Sequence, residues 1–255
     1  MRWETLAVVT GFVPIAWLWW THRKTALVYA ASWAIAAWAA WTLEAQCQCS
    51  TSRYFAMSLT ACAGVAVLGA RRPGAGPWNI VVGGLAAVLM LPVGQSFFAG
   101  STFSLDSMWM WFLGGVIAVG CFNYVPSLLR WPAGVMLIVC LMNMGYINKG
   151  PMPKDQGLVE YMVAVAPWSA AVCLLRSKRN PTDLLGIWFG FRDRYGAVWA
   201  TRIIWQFNAA AKNAKSDVQL RMEGVFRKDM RLSAEHADES ARKTLVPLLQ
   251  RFDWP

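Results

Sequence analysis

The segment LVEYMVAVAPWSAAVCLLRSKRNP, residues 158–181, decides how the chain divides. Leu158–Leu175 is almost wholly apolar, and as a helix it is long enough to cross roughly 30 Å of hydrocarbon. Arg176-Ser177-Lys178-Arg179-Asn180-Pro181 follows, a basic cluster closed by a proline. Such a cluster marks the cytosolic edge of a membrane segment. The reading is a transmembrane helical region over 1–176 and a cytosolic tail module over 177–255.

Charge agrees with that division. Up to Leu175 the basic residues are Arg2, Arg23, Lys24, Arg53, Arg71, Arg72, Arg130, Lys149 and Lys154. The acidic ones are Glu4, Glu44, Asp106, Asp155 and Glu160. Of 24 Lys and Arg and 14 Asp and Glu in 255 residues, most therefore lie in the final third. With 56% hydrophobic and 15% charged residues, the chain is excluded from the disordered, collagen-like and ordinary soluble classes.

Seven apolar stretches precede the boundary: Thr5–Trp20, Thr25–Leu43, Tyr54–Ala70, Trp78–Phe98, Met108–Val125, Trp131–Ile147 and Leu158–Leu175. Helices are expected, because lipid offers backbone groups no partner. The predicted fold class is an all-α polytopic membrane protein of about seven transmembrane helices with a small C-terminal helical or α+β module. With the N-terminus outside, Arg23, Lys24, Arg71, Arg72, Arg130, Arg176, Lys178 and Arg179 all fall inside. Only Arg2, Arg53, Lys149 and Lys154 fall outside, which is the orientation that the positive-inside rule favours. The tail is then cytosolic, and the compact, asymmetrically charged chain points to an inner membrane. The first stretch has no small-residue cleavage site after Trp20, so it reads as an uncleaved helix.

Trp3, Trp20, Trp41, Trp78, Trp109, Trp111 and Trp131 lie near predicted span ends, where interfacial belts place tryptophan. Small residues four apart, Ala36/Ala40, Gly83/Ala87 and Gly114/Ala118, allow close helix approach. Glu44, Asp106 and Glu160 are expected as interfacial carboxylates in water, so no proton path is predicted.

Six cysteines are present, with Cys47-Gln48-Cys49 in the first outer loop. A bridge across one residue is strained. Thiolate and thioether ligands select Cu(I), which makes Cys47, Cys49, Met108 and Met110 the candidate metal ligands of the alternative reading. Otherwise no cofactor is expected. His22 and His236 are the only histidines, and both map to the cytosol, so an internal bis-His haem is excluded. The phosphate-binding loop, the zinc-protease motif and the hydrolase elbow are absent.

In the tail, Thr182 is a predicted N-cap for a helix over Leu184–Lys212, interrupted near Gly196. One side is apolar, and the other carries Arg192, Arg194 and Arg202. Trp188, Arg192, Arg194 and Trp199 are the predicted docking residues for a protein partner or the membrane surface. Val218–Glu223 alternates like a half-buried strand; Gly224 would allow a turn or bulge, and Val225–Arg227 could continue the strand. Ser233 is a predicted cap for a helix over Ala234–Arg251. A tail this small buries a marginal core alone and is expected to rest on the membrane region or a partner. Acidic residues interrupt every basic cluster, so nucleic acid is not an expected partner. The expected partners are the lipid bilayer and protein subunits. The expected function is a non-catalytic subunit or assembly factor of a larger membrane complex, respiratory or cytochrome-maturation related. The alternative is a transporter or Cu(I)-handling protein.

Overall fold

The computed structural model describes residues 3–71, 74–147, 156–176, 183–214, 216, 218–227, 230–231 and 239–252. In chain order the helices are α1 (Trp3–Thr10), α2 (Phe12–His22), α3 (Val28–Cys47), α4 (Ser50–Leu68), α5 (Ala75–Leu89), α6 (Leu91–Phe98), α7 (Ser107–Phe122), α8 (Arg130–Ile147), α9 (Gln156–Arg176) and α10 (Leu184–Asn213). Strands β1 (Val218–Arg221), β2 (Gly224–Arg227) and β3 (Met230–Arg231) follow, then α11 (Glu239–Gln250). The chain is therefore dominantly helical with one small sheet.

Every predicted apolar stretch is occupied by helix, the first as α1 and α2 on either side of Gly11. Three helices among the described residues are long and apolar enough to cross a membrane: Ala75–Phe98, Arg130–Ile147 and Gly157–Arg176. Helix α7 is apolar but shorter.

Helix α4 stands inside the bundle, packed against α3, α5, α7, α8 and α10. Its Tyr54, Ala56, Met57, Ser58, Ala61 and Cys62 are buried. A helix walled by protein is released from the hydropathy that lipid demands, so α4 can hold Arg53 and several hydroxyls. Peripheral α5 and α6 show the opposite composition, with Ile80, Phe97 and Phe98 exposed.

Helices α4 and α7 cross glycine on glycine. A Cβ at Gly64 of α4 would lie 3.1 Å from the Gly120 Cα of α7. The predicted Gly83/Ala87 pair serves no such contact, because a Cβ at Gly83 meets nothing within 4 Å. Trp3, Trp20, Trp111 and Trp131 are exposed. Trp20 and Trp131 carry the guanidinium groups of Arg23 and Arg130 over their rings, 3.7 and 5.5 Å from the centroids. Trp41 instead turns inward and donates to Thr60 Oγ1 at 2.9 Å. Trp78 donates to the Val65 carbonyl at 3.1 Å.

The tail forms one core around α10. Asp183, in extended conformation, takes the N-cap position; the predicted cap Thr182 lies outside the described residues. So do the boundary residues 177–182, Ser233 and the first part of the predicted last helix; the described helix begins at Glu239. Met222 and Glu223 form a turn, and Gly224, at φ 132°, opens β2. Of the turn or bulge that Gly224 allows, the structure shows the turn: the segment is an antiparallel hairpin, with Val218 opposite Arg227 and Leu220 opposite Val225. Strand β3 adds antiparallel to β2. The hairpin lets both strands share one apolar face, with Val218, Leu220 and Val225 buried.

Candidate functional site

Helix α10 breaks at Gly196, whose φ of 78° and ψ of −171° are accessible only to glycine. A break strands backbone donors and acceptors. Asn123, just past α7, meets them. Its carbonyl accepts the Ala197 N–H at 2.6 Å. Its Oδ1 accepts the Val198 N–H at 2.9 Å, and its Nδ2 donates to the Tyr195 carbonyl at 3.3 Å. Two further bonds fix the same junction. Tyr124 donates from its hydroxyl to the Arg194 carbonyl at 3.4 Å, and the Leu128 N–H donates to Asp193 Oδ1 at 3.3 Å. Trp199 reaches into the bundle and donates to the Val67 carbonyl of α4 at 3.1 Å.

The four predicted docking residues are engaged within the chain. Trp188 is fully buried and donates to the Arg221 carbonyl at 3.0 Å. Arg192 holds Asp193 at 2.7 Å and the Met222 carbonyl at 2.8 Å. Arg194 donates to the Gly190 carbonyl at 3.0 Å. Burial pushes its guanidinium below the ordinary value, against the opposing pull of Asp193 and Tyr195. Trp199 is buried under Phe252, with ring centroids 5.0 Å apart. The aromatic side anticipated as an external anchor is instead the module's own core: Phe191 and Tyr195 stack with centroids 4.6 Å apart, and Phe252 meets them edge-to-face at 4.9 and 5.1 Å. What α10 does present outward is Val198, Thr201, Arg202 and Trp205, one helical face. Trp205 is 80% exposed. Sequence periodicity held this signal, because these four positions recur at intervals of three and four.

At the other end of the bundle lies a buried polar cluster. Glu44 near the end of α3 and Arg53 in the first turn of α4 are 4% and 1% exposed. Arg53 donates from Nε and Nη2 to Glu44 Oε1 at 3.3 and 3.2 Å. Between them the chain reverses through Gln48, a left-handed residue at φ 49° whose N–H returns to the Glu44 carbonyl. Its side chain donates to Glu160 Oε1 of α9 at 3.0 Å. Glu160 is 3% exposed. Glu44 and Glu160 are therefore interior residues, not interfacial carboxylates in water. Arg53 and Gln48 offset part of the cost of burial by donating to one oxygen of each carboxylate.

Cys47 and Cys49 are exposed free thiols on either side of Gln48. Cys49 is the N-cap of α4, and its sulfur accepts the Ser52 N–H at 3.4 Å. Partial burial pushes this thiol up, but hydrogen bonds from Ser52 and the first amides of α4 outweigh it and hold it below its usual value. Met108 is exposed and Met110 half-buried, both in the first turn of α7. Among the described residues, no three His, Cys, Asp or Glu side chains gather as a metal-binding group. The chain matches no protein-family model, no curated protein and no solved structure.

Proposed function

We propose that the chain is a multi-pass protein of the inner membrane, crossing about seven times, with the N-terminus outside and the tail module in the cytosol. In this reading it is a non-catalytic subunit or assembly factor of a larger membrane complex, and the tail module is its docking platform. The observation that carries the reading is the outward face of α10, where the 80% exposed Trp205 stands beside Arg202. A single exposed tryptophan flanked by arginine has the composition of an interface anchor. The Asn123 junction supports it, because a platform hydrogen-bonded to the bundle presents that anchor in one orientation relative to the membrane.

The test is affinity purification of the tagged full-length protein from its native membrane in mild detergent, with mass spectrometry of the co-purifying chains. A stoichiometric partner that is lost in a Trp205→Ala, Arg202→Ala double variant of unchanged thermal stability is the expected result. A lone chain, or a partner indifferent to both substitutions, removes the reading. Retention of the isolated tail on anionic vesicles would instead assign Trp205 to the lipid surface. Reporter fusions at the C-terminus test the orientation separately.

A second reading, transport or Cu(I) handling, draws on the exposed Cys47 and Cys49 and on the buried Glu44–Arg53–Glu160 cluster. Ionisable groups inside a membrane bundle mark ion or proton paths in many transporters. Purified protein that takes up no Cu(I) from a competing chelator and catalyses no ion flux in proteoliposomes excludes it.

A further inference from the structure

The end of the bundle next to the tail holds a half-open cavity of about 310 Å³. It lies between the C-terminal ends of α2, α4, α7 and α9 and the N-terminal ends of α3 and α8. That volume falls within the roughly 300–1,000 Å³ of small-molecule sites. Its walls are built largely of small apolar residues, among them Ala30, Ala34, Ala61, Gly64, Ala133 and Ala170.

The lining also holds His22, Tyr124 and Arg194. His22 is 6% exposed, and its Nδ1 has no hydrogen-bond partner among the described residues. A buried polar atom in that state is costly unless something supplies its partner. No Asp or Glu appears among the described lining residues. The nearest acid in sequence, Asp193, is bonded to Arg192 at 2.7 Å and to the Leu128 N–H and also attracts Arg194, so two arginines share one carboxylate here. The cavity therefore couples an apolar volume to excess positive charge.

We propose that this cavity binds one anionic amphiphile, its single apolar chain between the alanines and glycines and its carboxylate or phosphate head held by Arg194 and His22. Arginine suits such a head because its planar donors match carboxylate and phosphate oxygens. Only a ligand with both parts satisfies the apolar walls and the polar lining together.

The test uses the full-length protein in phosphatidylcholine nanodiscs with three probes of equal chain length: decanoate, decyl phosphate and decanol. Saturable binding of about one anion per chain is expected, with decanol roughly tenfold weaker or more, since a charge-assisted bond is absent. Decanoate preferred over decyl phosphate assigns a fatty acid; the reverse assigns a phospholipid-like head. Arg194→Gln should cost the anions about tenfold and leave decanol unchanged, and Ala34→Phe should block all three by filling the cavity. Decanol binding as tightly as the anions, or no saturable binding of either anion, overturns the proposal. Should the variants fail to fold, a diazirine-bearing decanoate keeps it testable on the unaltered chain. Labelled peptides should then come from α3, α4 and α8, and labelling confined to the outer surface of the bundle also overturns it.

Discussion

Asn123 stands against Gly196, and its amide restores the hydrogen bonds that the break in α10 takes away. A Cβ at position 196 would run into the Asn123 side chain. The two residues are 73 positions apart, one at the end of a bundle helix and one in the tail. Their contact joins tail to bundle together with the bonds Tyr124–Arg194, Leu128–Asp193 and Trp199–Val67.

Gly196→Ala is the most direct probe of that contact. The alanine must leave a backbone region costing about 1–3 kcal/mol, and its methyl group must displace Asn123 as well. A fall of several degrees in the thermal transition is expected, with the tail released earlier in limited proteolysis. A variant as stable as the parent would show that α10 can run straight through this point.

Asn123→Ala removes an acceptor and a donor without steric conflict. It leaves the Val198 N–H and the Tyr195 carbonyl without their partner, at about 1–3 kcal/mol for such groups where buried. Hydrogen exchange should rise at residues 195–198 before it rises elsewhere. Uniform acceleration across the chain would contradict the local role.

Arg53→Met should destabilise by about 3–5 kcal/mol, because Glu44 then keeps its burial without its cation. The double variant Glu44→Leu, Arg53→Met should recover part of the loss, since Glu44 no longer stands buried without its cation, while Glu160 stays buried beside the pair. A thermal-unfolding cycle over the parent, both singles and the double measures this. Additive losses would mean that the 3.2 Å ion pair is not coupled energetically.

Cys49 should alkylate with a half-maximal pH below that of an ordinary thiol. The depressed thiol favours the thiolate, so reactivity appears at lower pH and is lost only as pH falls through that value. Ser52→Ala should move the profile upward. Mass spectrometry after timed maleimide labelling reads this for Cys49 separately from Cys47, and coincident profiles for Ser52→Ala and parent would reject the hydrogen-bond cause.

Much of the helical architecture is legible along the chain, because preference for lipid or water is a property of each residue and accumulates over a helix. The apolar stretches, the break near Gly196 and the amphipathic character of α10 all follow from such local patterns. The assignment of its aromatic side failed for an equally physical reason. Periodicity identifies which residues share a face and is silent on what covers it. Trp188 and Trp199 face the module's own sheet and α4, whereas Trp205 on the other side stays exposed. At Gly224 the sequence allows a turn or a bulge, and only the pairing of Leu220 with Val225 decides for the turn.

By itself, then, the sequence determines that this chain is dominantly helical, that its apolar mass precedes a basic tail, and where its helices are interrupted. Only the tertiary structure decides which charges are interior. Glu44 and Arg53 meet because a left-handed Gln48 reverses the chain, and Glu160 joins them from 112 residues beyond Gln48. Burial of a charge depends on neighbours brought from elsewhere in the chain, and no property of the residue or its flanks encodes it.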